Sequence, residues 1–193
     1  MGLAVLIIGL AVFIGGHVFV TRREARAALI ARIGEMPYKG LFALVAILGL
    51  ALIVWGYARA SFIPLWTPPT WMRHVTVALV WPAIILVTAA YIPGDIKRTL
   101  KHPMLVGVKL WAFAHLLSNG DLGGIILFAA ILAWAVYDRI SLKHRGDPGA
   151  PPIPVGGRRN DVIAVVVGTV LYLALGFVFH PLVIGLPVFG TPA

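Results

Sequence analysis

Long apolar stretches alternate with short polar connections from one end of the chain to the other. A helix that crosses a bilayer needs about 20 predominantly apolar residues, and six stretches approach that length. They are Gly2–Val20, Gly40–Ala58, His74–Ile92, Pro103–Leu117, Leu122–Tyr137 and Val162–His180. The pattern predicts an all-α, polytopic transmembrane helical bundle of about six spans, forming a single domain over residues 1–193.

Two neighbouring spans, Pro103–Leu117 and Leu122–Tyr137, are shorter than the others. The four residues between them are Ser-Asn-Gly-Asp, a composition typical of tight turns. We therefore expect a helical hairpin whose two helices do not reach the full thickness of the bilayer.

Two polar connections have a recognisable character. After Val20, apolar residues recur near helical spacing, opposite Arg22, Arg23 and Arg26, which predicts a helix on the membrane surface. The segment 146–160 contains four glycines and four prolines, so we expect a flexible cytoplasmic linker there.

The composition predicts that the chain lies in a membrane and contacts lipid. It is 60% hydrophobic and only 12% charged, whereas soluble domains contain about 25% charged residues, so much of its apolar surface must face the lipid bilayer. The formal net charge is +9. The basic residues lie almost entirely between the apolar stretches, which favours contacts with lipid headgroups over nucleic acid.

The distribution of basic residues predicts the orientation. Of the 16 Lys and Arg residues, thirteen lie in alternate connections, two lie in the connection after the second span, and Lys109 lies inside the fourth span. Cytoplasmic loops carry an excess of Lys and Arg. The count therefore places the basic loops in the cytoplasm and both termini outside.

Four histidines lie within or next to the spans and are the best candidates for function, because polar groups in hydrocarbon are costly unless they have a role. His17 follows Gly15-Gly16, and two glycines allow close approach of a helix or a flat ligand. His115 lies four residues after Trp111, on the same helical face. His102 and His180 each precede a proline at a helix end.

The remaining chemistry is sparse. The chain has no cysteine, the spans contain no Asp or Glu, and no hydrolase or nucleotide-binding motif occurs. Zinc sites usually need three or four ligands, whereas neutral imidazoles in an apolar, cysteine-free bundle suit a haem iron. The alternative for each histidine is a structural hydrogen bond to a neighbouring helix.

Spacing limits how these residues can combine. His102 and His115 are thirteen residues apart, which is about 20 Å along a helix, so they cannot share one metal ion. The predicted orientation places His17 with His102 on the cytoplasmic side and His115 with His180 on the outer side. Lys109, in mid-span, either pairs with a backbone carbonyl or binds an anion such as a haem propionate.

The stretch from His102 through Trp111-Ala-Phe-Ala-His115 to Asn119-Gly120-Asp121 resembles the NnrU family of bacterial membrane proteins, and the resemblance extends over most of the chain, including Gly15-Gly16-His17. The family is associated with nitrite and nitric oxide reduction in denitrifiers. It is similar to plant 15-cis-zeta-carotene isomerase, a membrane enzyme that uses haem b. The resemblance implies a multi-pass protein of the bacterial inner membrane.

The resemblance also implies a site. The positions that match the haem histidines of the isomerase are His17 and His115, which we expect to ligate the iron of haem b; His102, His180, Lys109 and Trp111 would complete the cofactor site. The isomerase is associated with a cysteine three residues before its second histidine. That position is Ala112 in this chain, so a thiolate ligand is excluded.

Three functions remain open at this stage. The first is a haem-b protein linked to nitrite and nitric oxide metabolism. The second is a haem-dependent cis-trans isomerase of a polyene or another lipid-soluble substrate. The third is a non-enzymatic transporter or assembly factor, although the sequence contains no convincing inverted repeat.

Overall fold

Helices dominate the computed structural model, which describes residues 1–144 and 156–189. The α-helices of this part are α1 (Gly2–Thr21), α2 (Arg23–Ile33), α3 (Glu35–Ala58), α4 (Trp71–Tyr91), α5 (Asp95–Leu100), α6 (Pro103–Ser118), α7 (Leu122–His144) and α8 (Gly157–Ala174). The last helix continues as a π-helix over Leu175–Ile184.

Five helical runs in the described residues are long and apolar enough to cross a membrane: α1, α3, α4, α7 and the run Gly157–Ile184. The shorter helix α6 is the remaining apolar element. A helix pairs its backbone N–H and C=O groups within the segment, so it can cross the lipid without leaving these groups unpaired. The predicted all-α, polytopic architecture is confirmed.

The internal contacts divide the chain into two compact units. Within the described residues, unit 1 consists of residues 1–66 and 121–144, and unit 2 consists of residues 67–120 and 156–189. Unit 1 therefore contains α1, α2, α3 and α7, and unit 2 contains α4, α5, α6 and α8 with its π-helical extension.

In unit 1, α1 packs closely against α3 through glycines. A Cβ atom on Gly9 would lie 2.7 Å from the backbone nitrogen of Ile53, and one on Gly49 would lie 2.8 Å from that of Phe13. Small residues allow such approach between helices in lipid. Leu6 is fully buried at this contact surface, and α7 packs on α1.

In unit 2, α4 contacts both α6 and α8. Gly107 of α6 lies so close to α4 that a Cβ atom would be 2.6 Å from the Ala83 carbonyl oxygen, and Gly168 of α8 would place one 2.8 Å from the Cα of Ile85. The indole nitrogen of Trp81 also donates to the Thr169 hydroxyl. Helix α4 thus positions the two helices that carry the unit's candidate histidines.

The helices that were expected to be short differ from each other. Helix α6 has 16 residues, as the sequence indicates, but α7 has 23 residues and continues past Tyr137 to His144. The prediction of a short fifth span was wrong, because a helix can continue through polar residues after its apolar part ends. The predicted helix in the first connection is present as α2, which has no buried residue.

Hydrogen bonds join the start of α8 to the segment before and within α5. Asp161 accepts hydrogen bonds from the backbone nitrogens of Asp95 and Ile96, and Asn160 donates to the Pro93 carbonyl. Of the predicted linker 146–160, residues 146–155 lie outside the described residues, and Gly157–Asn160 form the first turn of α8.

Candidate functional site

His115 is held firmly in the last turn of α6. Its Nδ1 lies 2.8 Å from the Trp111 carbonyl oxygen; a carbonyl only accepts, so Nδ1 carries the proton. The Trp111 ring lies against the imidazole with a centroid distance of 4.9 Å. The neutral ring therefore keeps its lone pair on Nε2, which is the nitrogen available to a metal ion.

The backbone around His115 is also fixed. The buried Thr76 hydroxyl of α4 donates to the Ala114 carbonyl oxygen at 2.7 Å, and the side-chain amide of Asn119 donates to the carbonyl of His115 itself at 2.7 Å. Ala112 and Ala114 are completely buried. These contacts set the position of the imidazole relative to α4.

His180 lies in the π-helical segment, directly before Pro181. Proline has no N–H and disrupts ordinary α-helical bonding, and π-helical turns often occur at functional sites. The segment ends at Gly185, whose φ of 79° suits glycine. Beyond it, the Arg73 guanidinium of α4 donates to the carbonyls of Pro187 and Val188 at 2.9 and 2.8 Å.

The rings of His115 and His180 form a pair within unit 2. Their centroids are 6.3 Å apart and their planes differ by 21°. Two imidazoles that bind one metal ion from opposite sides at bond lengths of about 2 Å have centroids on the order of 6 Å apart. The centroid separation is therefore of the size needed for both imidazoles to hold one metal ion, provided that both Nε2 atoms face it.

His17 has a different environment, in unit 1. Its Nδ1 donates to the Phe13 carbonyl at 2.7 Å, and three aromatic rings surround it: Phe13 at 4.3 Å, Trp134 at 5.0 Å and Phe42 at 5.2 Å between centroids. The buried indole nitrogen of Trp134 has no hydrogen-bond partner among the described residues. His17 is thus enclosed in an aromatic cluster.

The hydrogen bond from Nδ1 to the carbonyl four residues earlier does not itself identify a ligand. Exposed His144 at the end of α7 makes the same bond to Ile140 at 2.9 Å. What distinguishes the three histidines is the group near the ring: a second imidazole for His115, aromatic rings for His17, and an exposed surface for His144.

The other predicted site residues lie on α6. His102 is the residue before its first turn, and Lys109 lies in mid-helix with a partly exposed side chain. Six residues separate Lys109 from His115, which places them roughly 120° apart around the helix, so they are on different faces. The predicted contact of Lys109 with a cofactor propionate remains a prediction, as does the pairing of His17 with His115.

The two glycines before His17 have different surroundings, and neither faces the backbone of another helix within 4 Å in the described residues. Around Gly15, an added Cβ would meet nothing within 4 Å among the described residues, and on Gly16 it would meet only the Val45 side chain at 3.2 Å. The backbones of α1 and α3 approach each other closely at Gly9 and where Gly49 faces Phe13.

Sequence reasoning missed the residues that position the pair. The Thr76 side chain connects α4 to α6, which carries His115. The Arg73 side chain connects α4 to the chain that follows His180. The Tyr172 hydroxyl of α8 donates to the Val77 carbonyl of α4 at 3.1 Å. A polar side chain inside an apolar stretch was the available signal for Thr76 and Tyr172. For Arg73 there was none, because a basic residue at a span end is ordinary.

The described residues contain no group of three or more His, Cys, Asp or Glu side chains that could hold a metal ion. A zinc site with three protein ligands is therefore not supported in this part of the chain. Two imidazoles without carboxylate or thiolate match the donor set of a haem iron, whose remaining four ligands come from the porphyrin.

Comparison with known proteins identifies the family. The family model described as NnrU protein matches residues 5–188, which includes most of unit 1 and most of unit 2. No curated protein and no solved structure matches the chain. Since the family model spans nearly the whole sequence, including every candidate histidine, the chain belongs to the NnrU family.

Proposed function

We propose that this NnrU-family membrane protein binds haem b and that the imidazoles of His115 and His180 would hold its iron. The observation that carries the proposal is the separation of the two rings, 6.3 Å between centroids with planes 21° apart. Both belong to unit 2, and both sit on elements that α4 fixes by hydrogen bonds.

The chemical character of the pair supports the proposal. The proton of His115 is committed to Nδ1 by the Trp111 carbonyl, so Nε2 can bind iron without first losing a proton. A histidine that ligates a metal usually donates its other ring N–H to a carbonyl or carboxylate in this manner. Apolar and aromatic surroundings limit access of water and help to set the potential of a bound iron.

The proposed role is in nitrite and nitric oxide metabolism, which is the process associated with the family that the chain resembles. Haem, when bound, supplies a one-electron couple and a metal that binds small diatomic molecules. The chain would contribute the imidazoles of His115 and His180, carried on helices of a multi-pass membrane protein. A lipid-soluble substrate would reach this site from the bilayer. Polyene isomerisation is therefore the alternative function, and the experiment must distinguish it from a role in nitric oxide metabolism.

The experiment is a reduced-minus-oxidised absorption spectrum of the detergent-purified full chain from haem-replete cells. We expect sharp b-type bands, lost in His115→Ala and retained in His144→Ala, the matched control whose ring makes the same backbone hydrogen bond. Absence of bands from the wild-type protein would contradict haem binding.

Reaction of the reduced protein separates the two roles. Nitric oxide is expected to shift the Soret band by displacing one of the two imidazoles, whereas cis-carotenoids are expected to remain unchanged on incubation. Isomerisation of the carotenoid without any response to nitric oxide would overturn the assigned role and establish the isomerase instead.

A further inference from the structure

A pocket of about 260 Å³ lies in unit 1, where the end of α1 meets α2 and the start of α3. It is lined by Val20, Arg26, Tyr38, Lys39 and Phe42. Since α2 connects two helices of membrane-spanning length and has no buried residue, the pocket lies at a membrane surface. None of its lining residues belongs to unit 2.

Two polar atoms of the pocket residues lack partners. The side chain of Tyr38 is only 6% exposed, and neither its hydroxyl nor Nε of Arg26 has a hydrogen-bond partner in the described residues. Buried polar atoms in native proteins are nearly always paired, and an unpaired one commonly indicates an ion or ligand that completes the site. Nε of Arg26 only donates and the Tyr38 hydroxyl is able to donate, so one acceptor group would satisfy both.

The charge of the pocket indicates an anion. The Arg26 guanidinium lies 5.4 Å from the centre of the Tyr38 ring, and Lys39 supplies a second cation. Lys39 pairs with Glu35 at 2.8 Å, but both side chains of that pair are more than half exposed. An exposed pair of this kind is weak, so Lys39 is able to turn to a stronger anionic partner.

The surroundings indicate that the anion has an apolar part. Val20 and Phe42 form the apolar lining, and the neighbouring side chains of Ile33, Met36 and Leu41 are 39%, 74% and 47% exposed. Basic residues beside exposed apolar side chains at a membrane surface favour an anionic lipid, whose headgroup binds the cations and whose chains cover the apolar residues.

We propose that this pocket binds the phosphate of an anionic glycerophospholipid, with Arg26, Lys39 and the Tyr38 hydroxyl as donors. The phosphate oxygens accept from all three groups, and the acyl chains lie along the exposed apolar residues of α3. All the residues that line this pocket belong to unit 1, whereas His115 and His180 belong to unit 2.

The test is native mass spectrometry of the detergent-purified full chain after mixing with phosphatidylglycerol or phosphatidylcholine. We expect the wild type to retain phosphatidylglycerol preferentially. Arg26→Gln is expected to lower retention roughly fivefold, as removal of one basic contact implies. Tyr38→Phe, which keeps the ring and removes only the hydroxyl, is expected to lower it about threefold to tenfold.

The matched control is Arg32→Gln, which removes the same charge from an exposed position of the same helix. Equal loss of lipid in Arg32→Gln and Arg26→Gln would overturn the proposal, because it would show unspecific attraction to the headgroup layer. Thermal unfolding of the chain in detergent provides a second measurement. If inorganic phosphate alone raises the unfolding temperature as much as phosphatidylglycerol does, and does not raise it in Tyr38→Phe, free phosphate is the occupant and the lipid is excluded. Loss of haem in Arg26→Gln with unchanged lipid binding would also overturn it.

Discussion

In unit 1, the ring of His17 is surrounded by Phe13, Phe42 and Trp134, whereas in unit 2 the ring of His115 faces a second imidazole, that of His180. The Nδ1 atoms of His17 and His115 are used identically, each donating to the carbonyl four residues earlier. The difference therefore lies in the neighbours. Surrounding aromatic rings favour a packing role for His17. A neighbouring imidazole favours a role for His115 in binding a metal ion together with His180.

The largest expected effect distinguishes two pairs of iron ligands. The resemblance implies His17 with His115, and we propose His115 with His180. We expect His180→Ala to abolish or strongly shift the b-type bands, and His17→Ala to leave them in place, because the imidazole of His180 lies beside that of His115 within unit 2, whereas His17 lies among aromatic rings in unit 1. Haem content per protein by the pyridine haemochrome method is the measurement. Loss of haem in His17→Ala, with His180→Ala unaffected, would show that the pair implied by the resemblance is correct.

The second prediction compares the glycine contacts of the two units. Gly49→Ala in unit 1 and Gly107→Ala in unit 2 each place a methyl group within 3 Å of backbone atoms of the facing helix. We expect each to lower the free energy of unfolding by about 1–3 kcal/mol through overpacking. Only Gly107→Ala should also lower haem content, because α6 carries His115.

The measurements are thermal unfolding in detergent and the haem-to-protein ratio. Gly15→Ala is the control, since an added methyl at Gly15 meets no atom of the described residues within 4 Å, and alanine favours helix over glycine. Haem loss in Gly49→Ala equal to that in Gly107→Ala would remove the distinction between the two units.

A smaller effect is expected from Arg73→Gln. The guanidinium donates to the carbonyls of Pro187 and Val188 and so holds the chain that follows the π-helical segment. Loss of these bonds should cost about 1–2 kcal/mol and accelerate transfer of haem to a soluble acceptor protein up to about tenfold. Arg158→Gln, at an exposed position of α8, should leave the transfer rate unchanged; equal rates for both variants would exclude a role for Arg73 in holding His180.

The sequence allowed most of the helices to be predicted, because in lipid an apolar stretch of sufficient length must satisfy its own backbone and so forms a helix. It did not reveal where α7 ends, since apolar character reports contact with lipid and says little about a helix that continues into water. It also did not reveal the π-helical turns around Pro181, because a proline in an apolar stretch indicates disrupted α-helical bonding and does not specify which turns replace it.

The sequence allowed the residues of the candidate site to be predicted, but not which of them lie close together in space. His17, His115 and His180 were identifiable because a histidine in an apolar stretch is unusual. Which two approach each other depends on which helices are neighbours, and one sequence does not contain that information. Trp134 next to His17, and Thr76 behind His115, became visible only in the structure.

The smallest effect tests how rigidly α4 positions His115. Thr76→Val keeps the shape of a side chain that is only 7% exposed and removes the hydroxyl that donates to the Ala114 carbonyl. We expect a loss of about 1 kcal/mol in unfolding free energy and a small shift of the Soret band with haem retained, because the adjacent imidazole moves slightly. Thr70→Val at an exposed position before α4 is the control. An unchanged spectrum together with the expected loss of stability would mean that Thr76 joins the two helices without positioning the ligand, and that the Asn119 and Trp111 contacts of α6 alone fix the ring.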